Sequence, residues 1–338
     1  MTEKKSQFKP KTKHYNDFIK TLNDLNGKTI AITGTTSGTG FVAAKCLAEK
    51  GARVLLLNRK SPRSLSSFER LKKLCPKAQF IEIECDLQSF SSVREASEKI
   101  HSLCKEGLYA LANNAGVMAL RDKATVDGFD IQMQTNHLSH FLLTRKLMPL
   151  LEKYSQDHGD ARIVNHSSIA RLMVKKLEAK YLEQKGGKLG GDGRGMMIFV
   201  QGRWTRYAQT KLANACFTAA LHRKLQEKKS HVKAIVVHPG FALTELQNRA
   251  IQDGGMSSWL SKIIARGAQS EEDGAMALIK ALASDDVSSG IFIGPGRGKM
   301  AAGGPVINFE LEKYYDNEET INLLWTKSCD AVSEDFDI

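Results

Sequence analysis

The chain has 338 residues, of which 42 % are hydrophobic and 25 % charged. These are globular values, and they exclude a largely disordered chain, a collagen-like fibre and a coiled coil. The formal net charge is +12, with +4 in residues 1–30 and −7 in residues 310–338. A basic body of this kind attracts anions. No basic run is interleaved with aromatics, so the expected partner is an anionic cofactor and a small molecule, with no nucleic acid.

In chain order, residues 1–27 read as an extension with a short helix over 15–25. From residue 28, short apolar runs alternate with longer helical stretches. The runs are 29–33, 52–57, 80–84, 109–112, 162–165, 232–237 and 291–293. Most are apolar throughout, as strands covered on both faces are. Helices are predicted over 38–49, 89–103, 126–151, 204–225 and 274–283. Strand–helix alternation of this kind makes a doubly wound, mostly parallel α/β sheet, here of seven strands. One domain over 28–310 is expected, with an insertion at about 172–203 and an acidic extension over 311–338. The stretch 182–202 holds seven glycines, Gly186, Gly187, Gly190, Gly191, Gly193, Gly195 and Gly202. That density predicts a loop and a lid over a substrate. The acidic end (Asp330, Glu334, Asp335, Asp337) reads as a solvated, disordered tail.

The first run ends in Thr33-Gly34-Thr35-Thr36-Ser37-Gly38-Thr39-Gly40, and a helix follows. A glycine-rich turn between a strand and a helix presents free N–H groups and a helix dipole to negative charge. Gly34 permits the turn, Gly38 lets the backbone approach a pyrophosphate, and Gly40 lets the helix pack close. The reading is a Rossmann-like dinucleotide site. The second run ends Leu57-Asn58-Arg59-Lys60. An acid there would meet a ribose 2′-hydroxyl, whereas Arg59 suits a 2′-phosphate, so NADP(H) is the expected cofactor.

Tyr207 and Lys211 stand four apart in a helical stretch and share one face. A nearby ammonium favours a phenolate, which predicts a lowered Tyr207 pKa and an acid/base role. Six cysteines (46, 75, 85, 104, 216 and 329) show no C-x-x-C spacing, so no zinc or dithiol motif is signalled and a cytoplasmic location is expected. No run reaches the roughly 20 apolar residues of a membrane span, and no secretory leader is apparent. His137, His140 and His166 lack the spacing of a metal site. Cys216, Trp204, Trp259 and Trp325 read as packing residues.

Seven motifs together resemble the short-chain dehydrogenase/reductase family. They are the TGTTSGTG loop, Asp86-Leu87, Asn113-Asn114-Ala115-Gly116, Ser167-Ser168, Tyr207 with Lys211, Asn136 within TNHLSHFLLT, and His238-Pro239-Gly240 with Thr244. The strings NHLSHFLLT and KLANACFTAAL are similar to the retinol dehydrogenase and protochlorophyllide reductase branch. The resemblance implies hydride transfer between a nicotinamide and a carbonyl or alcohol. Alternatives are reduction of an activated C=C bond or a silent cofactor-binding regulator. It implies Tyr207 as acid/base, with Lys211 holding the nicotinamide ribose and Ser168 orienting the substrate oxygen. Asn136 would support a water-linked proton path. Gly34, Ser37, Gly38, Gly40, Arg59, Asp86, Leu87, Asn114, Ala115, Gly116, Pro239, Gly240 and Thr244 would contact the cofactor. Spacing alone leaves open whether Ser167 or Ser168 faces the substrate. A homo-oligomer is a further expectation from the family.

Overall fold

In the computed structural model, which describes residues 10–190, 201–242, 250, 252–255, 268–296 and 303–338, the apolar runs form one sheet. The strands are β1 (Thr29–Thr33), β2 (Arg53–Asn58), β3 (Phe80–Glu84), β4 (Ala110–Asn113), β5 (Ala161–His166), β6 (Val232–Val237), β7 (Ile291–Pro295) and β8 (Val306–Glu310). Their order is β3-β2-β1-β4-β5-β6-β7-β8. The first seven pair in parallel and β8 runs antiparallel to β7. The eighth strand adds to the seven read from the sequence. It is a partly exposed edge element (Val306 to Glu310), so it carries no continuous apolar run.

The sheet grows one way from β1 to β3 and the other way from β4 onward. At that reversal the crossovers leave in opposite directions and open a crevice beyond the strand ends. Among the described residues the helices are α1 (Tyr15–Phe18), α2 (Gly38–Glu49), α3 (Pro62–Leu74), α4 (Phe90–Leu103), α5 (Ile131–Met133), α6 (Ser139–His158), α7 (Gln201–Glu227), α8 (Glu271–Ala283) and α9 (Glu318–Val332). Ser61, Ser89, Ser270 and Asn317 cap α3, α4, α8 and α9 through their side chains. By contrast α2, which opens at Gly38, has no side-chain cap. Its first N–H groups stay free to meet an anion.

Several expectations change. The helix predicted over 126–151 begins at Ile131, because Asp130 caps it by accepting from the amides of Gln132 and Met133. It then widens into a π-helix over Gln134–Leu138 before continuing as α6. The helix expected over 15–25 stops at Thr21 after a 3-10 turn. Gly202, assigned to the loop, lies inside α7, and residues 191–200 of the insertion fall outside the described residues, so the lid expectation does too. Before that gap the insertion is tied down, with Gly186 N donating to Gly128 O and Gly190 N to Asp122 Oδ2.

The acidic end is not a disordered tail. It forms α9, and residues beyond it return to the body. Trp325 stacks on Phe336 at 5.0 Å, and both rings meet Phe141 edge-on at 5.3 Å. Glu334 takes ion pairs from Arg94, Arg145 and Lys146. Trp325 therefore packs as expected, while Trp259 lies outside the described residues.

Phe336 is 3 % exposed, so Phe336→Ala leaves a cavity and costs about 3–5 kcal/mol. Val126 is 83 % exposed, and Val126→Ala costs no more than about 0.5 kcal/mol. Urea titration of both variants checks the contrast; equal midpoints contradict the packing of the C-terminal end.

Candidate active site

The crevice is a cavity of about 730 Å³ lined along its length by the sequence-predicted residues. Gly34, Ser37, Gly38, Gly40, Arg59, Asp86 and Leu87 line it, as do Asn114, Ala115, Gly116, Pro239, Gly240, Ser168, Tyr207 and Lys211, while Asn136 is buried behind it. Thr244 falls outside the described residues.

The anion end is built from close backbone approaches. Gly34 has φ +73°, and a Cβ there would fall 2.8 Å from Ala115. A Cβ on Gly40 would collide with Gly34 O and the Asn114 amide. Asn58 is buried and answers the loop: its Oδ1 accepts from Thr35 N at 2.9 Å and its Nδ2 donates to Thr35 Oγ1 at 2.8 Å. The position where an acid would read a 2′-hydroxyl thus serves as a loop clamp. Arg59 is exposed on the rim. Beside it stands a residue the sequence reading missed. Arg63, in the first turn of α3, also lines the cavity and donates to Ser37 Oγ. The Ser61-Pro62 start of a capped helix was the available signal.

Asn114 joins the walls. Its Nδ2 donates to Thr33 O and Gly34 O, and its Oδ1 accepts from Thr39 Oγ1 and His166 Nδ1. His137 and His140 are likewise occupied, the first with Ser328 and the second with Thr33 and Asn136 O.

At the far end, Ser167 and Ser168 separate by what they hold. Ser167 is buried and donates to Lys211 O at 2.7 Å, anchoring β5 to α7. Ser168 hydrogen bonds with the Tyr207 phenol. Burial pushes the Tyr207 pKa up to about 12, against the downward pull of Ser168. This is the reverse of the expected lowering by Lys211, whose Nζ lies 5.8 Å from the ring centre. Burial also pushes the Lys211 ammonium down to about 8. That ammonium donates to His166 O at 2.9 Å. Asn136 sits in the π-helix with its amide donating to Val117 O and Thr210 Oγ1 and accepting from Val117 N. Its backbone carbonyl accepts from His140 Nδ1.

Trp204 both packs and lines the cavity, edge-on to Tyr207 at 5.9 Å, with Nε1 donating to Gly255 O. Met118, Ala119 and Ala250 complete an apolar cluster with these two rings.

One cavity thus joins a glycine cradle at the switch point to the half-buried Ser168 and the buried Tyr207 and Lys211. The sequence model of the family described as short chain dehydrogenase matches residues 28–190. Retinol dehydrogenase 12 of Mus musculus is 30 % identical over 308 residues, 91 % of this chain and 87 % of that protein. An uncharacterised oxidoreductase of Schizosaccharomyces pombe is 33 % identical over 67 % of this chain, and polyprenol dehydrogenase of Homo sapiens 34 % identical over 64 %. The chain spans less than two thirds of the length of these last two, 63 % and 61 %. A solved structure of an uncharacterised protein from Mycobacterium paratuberculosis superposes with a TM-score of 0.71 at 27 % identity, over 97 % of this chain and 100 % of that one. The Brucella melitensis 3-ketoacyl-(acyl-carrier-protein) reductase, solved with NADH, shares the fold at a TM-score of 0.59 and 20 % identity, over 82 % of this chain and 100 % of that one. This chain belongs to the short-chain dehydrogenase/reductase family, with similarity to its retinol dehydrogenase members.

Burial holds four histidines neutral. It is the first cause depressing His137 and His238 to about 3, His140 to about 4, and His166 well below its usual value. The unfolded chain binds these protons near pH 6.5 and the native chain does not. Unfolding therefore takes up protons below that pH. The stability is fully present above pH 6.5 and is lost as pH falls toward 4, by up to about 1.4 kcal/mol per pH unit for each histidine. Calorimetry from pH 8 to pH 4.5 should show a flat Tm above pH 7 and a steep fall below pH 6.

Proposed function

We propose that this protein is an NADP(H)-dependent oxidoreductase moving hydride between the nicotinamide and a carbonyl or alcohol carbon, with Tyr207 as the acid/base. The observation that carries the reading is one cavity lined both by Ser168, Tyr207 and Lys211 and by the uncapped start of α2 with Arg59 and Arg63. Six free cysteines support a reducing compartment, most simply the cytosol.

When bound, the cofactor supplies or accepts the hydride. The chain's own groups manage the proton. A phenol with its pKa pushed up to about 12 keeps its proton at neutral pH and can donate it to a substrate oxygen as negative charge develops there. Ser168 holds the same oxygen in line. Lys211, at about 8, is mostly cationic at pH 7 and lines the cavity where it would hold the nicotinamide ribose. Ser168 rather than Ser167 takes the orienting role, because the Ser167 hydroxyl is committed to Lys211 O. Asn136, held on both faces of its amide, fixes the π-helix against α7. These charges favour carbonyl reduction near neutral pH; alcohol oxidation, which needs the phenolate, should accelerate as pH rises above 8.

The lining of Met118, Met173, Trp204 and Phe241 suits an apolar substrate body. The names of the mouse and human relatives point the same way, since retinol and polyprenol are both long apolar alcohols.

Tyr207→Phe keeps the ring and removes the proton, so turnover should fall by about 10² or more with NADPH affinity nearly unchanged. Stopped-flow reduction of an apolar aldehyde tests this; near-normal turnover sinks the acid/base assignment. A guanidinium–phosphate hydrogen bond is worth roughly 1.5–3 kcal/mol, or about 10- to 150-fold. Arg59→Ala and Arg63→Ala should each raise the NADPH constant on that scale and leave the NADH constant unchanged. Equal use of both cofactors by the unaltered protein overturns the 2′-phosphate assignment.

A further inference from the structure

Ser168 is held from behind by a part of the chain far from the reaction centre in sequence. It caps the 3-10 turn Ile169–Met173, its Oγ accepting from Ala170 N at 3.2 Å. In that turn Arg171 is only 2 % exposed. Its Nη1 donates to Ser168 O at 3.2 Å and its Nε to Tyr315 Oη at 2.6 Å. Its Nη2 reaches Glu312 Oε1 at 3.4 Å, and the guanidinium lies over the Phe292 ring at 4.4 Å. Tyr315 is itself 2 % exposed. The neighbouring Tyr314 accepts from Leu177 N at 3.0 Å.

A buried guanidinium is costly unless its donors are matched, so its geometry is set by its partners. Here the partners are the serine turn on one side and the segment before α9 on the other. Moving Tyr315 Oη moves Arg171, and Arg171 carries the Ser168 carbonyl. Oγ of the same residue must meet both Tyr207 and a substrate oxygen, and small displacements of such groups cost rate steeply.

We propose that Arg171 and Tyr315 are positioning residues: the C-terminal segment holds Ser168 in register with Tyr207 through the Arg171 guanidinium, setting kcat rather than cofactor binding. The proposal rests on the reading above that Ser168 orients the substrate oxygen. It gives the residues after 310, beyond the stretch matched by the family, a part in the reaction centre.

Tyr315→Phe tests it by deleting one oxygen and keeping the ring. Hydrogen exchange, which needs no substrate, should quicken by about threefold or more in the amides of residues 168–173 and stay unchanged in residues 34–40. Unchanged exchange at 168–173 overturns the clamp whatever reaction the protein runs. For NADPH-dependent reduction of an apolar aldehyde, kcat should fall about tenfold with the NADPH KM within about twofold. In a Ser168→Ala background the same substitution should cost less than about twofold, because the two act as one unit. Equal losses in both backgrounds, or no loss in the first, overturn the route through Ser168. Absence of turnover in the unaltered protein overturns the oxidoreductase reading, and the exchange result then decides the clamp alone. Glu312→Gln, at a partly exposed partner, should shift exchange and kcat in the same direction by less. It serves as the second variant should Tyr315→Phe fail to fold.

Discussion

The hydroxyl of Thr33 accepts from two consecutive backbone amides, Asn114 at 3.0 Å and Ala115 at 2.9 Å. Beyond their last paired residues β1 and β4 diverge, and the freed backbone groups are buried. Such groups must find partners or cost the fold heavily. Thr33 and Asn114 satisfy each other's chain and reach further. Asn114 collects Gly34, Thr39 and His166, so β1, α2, β4 and β5 share one side chain. Thr33 also meets His140 Nε2 at 2.9 Å, and the other nitrogen of that ring donates to Asn136 O. That pattern fixes the neutral Nδ1–H tautomer and carries the network into the π-helix. The crevice is therefore assembled by folding, before any ligand arrives.

The same burial acts oppositely on the two titrating groups at the far end. It raises the phenol and lowers the ammonium, because it penalises whichever form is charged. A helix neighbour four residues away does not by itself make a phenolate. The ammonium must be close to the oxygen, and here it is committed to His166 O at 2.9 Å. Tyr207 thus keeps its proton at neutral pH, and Ser168 is the group whose hydrogen bond tempers its pKa. This is why the setting of Ser168 matters beyond its own contact.

The strands and the glycine loop were legible because each depends on local composition. Thr29–Thr33, Phe80–Glu84 and Val232–Val237 are read from the sequence with the bounds the structure shows, as is Gly38–Glu49. The C-terminal helix was hidden by its surface. Ile321, Leu324, Ser328 and Val332 recur at helical spacing and are buried, yet the flanking acids made the stretch look like a solvated tail. Charge counts describe the exposed face and say nothing of the covered one. The π-helix was illegible for another reason: its extra width is held by long-range bonds from Asn136 to Val117 and Thr210. Arg63 was missed because its reach to Ser37 depends on how α3 leaves β2. Asn58, read only as a missing acid, proved to be a clamp on Thr35.

The cavity wall is divided between chain segments. Ser168 follows β5, and Tyr207 and Lys211 sit on α7, braced by the core. The apolar wall instead draws on residues beyond β6, which must be brought back to the site. Asp253 does this: its carboxylate accepts from Arg121 N, its carbonyl accepts from the buried Arg203, and both guanidinium groups lie 3.6 Å from its carboxylate. Trp204 then fastens the same loop through Gly255 O. Arg206, one residue before Tyr207, closes onto buried Asp130 at 2.6 Å and fixes the start of α7 against the cap of α5. Polar ties at the rim thus hold an apolar wall whose own contacts are few and non-directional. Exchange of residues in the wall can alter the shape of the cavity while Tyr207, Ser168 and Lys211 keep their places. One fold can in this way serve many alcohols and carbonyls.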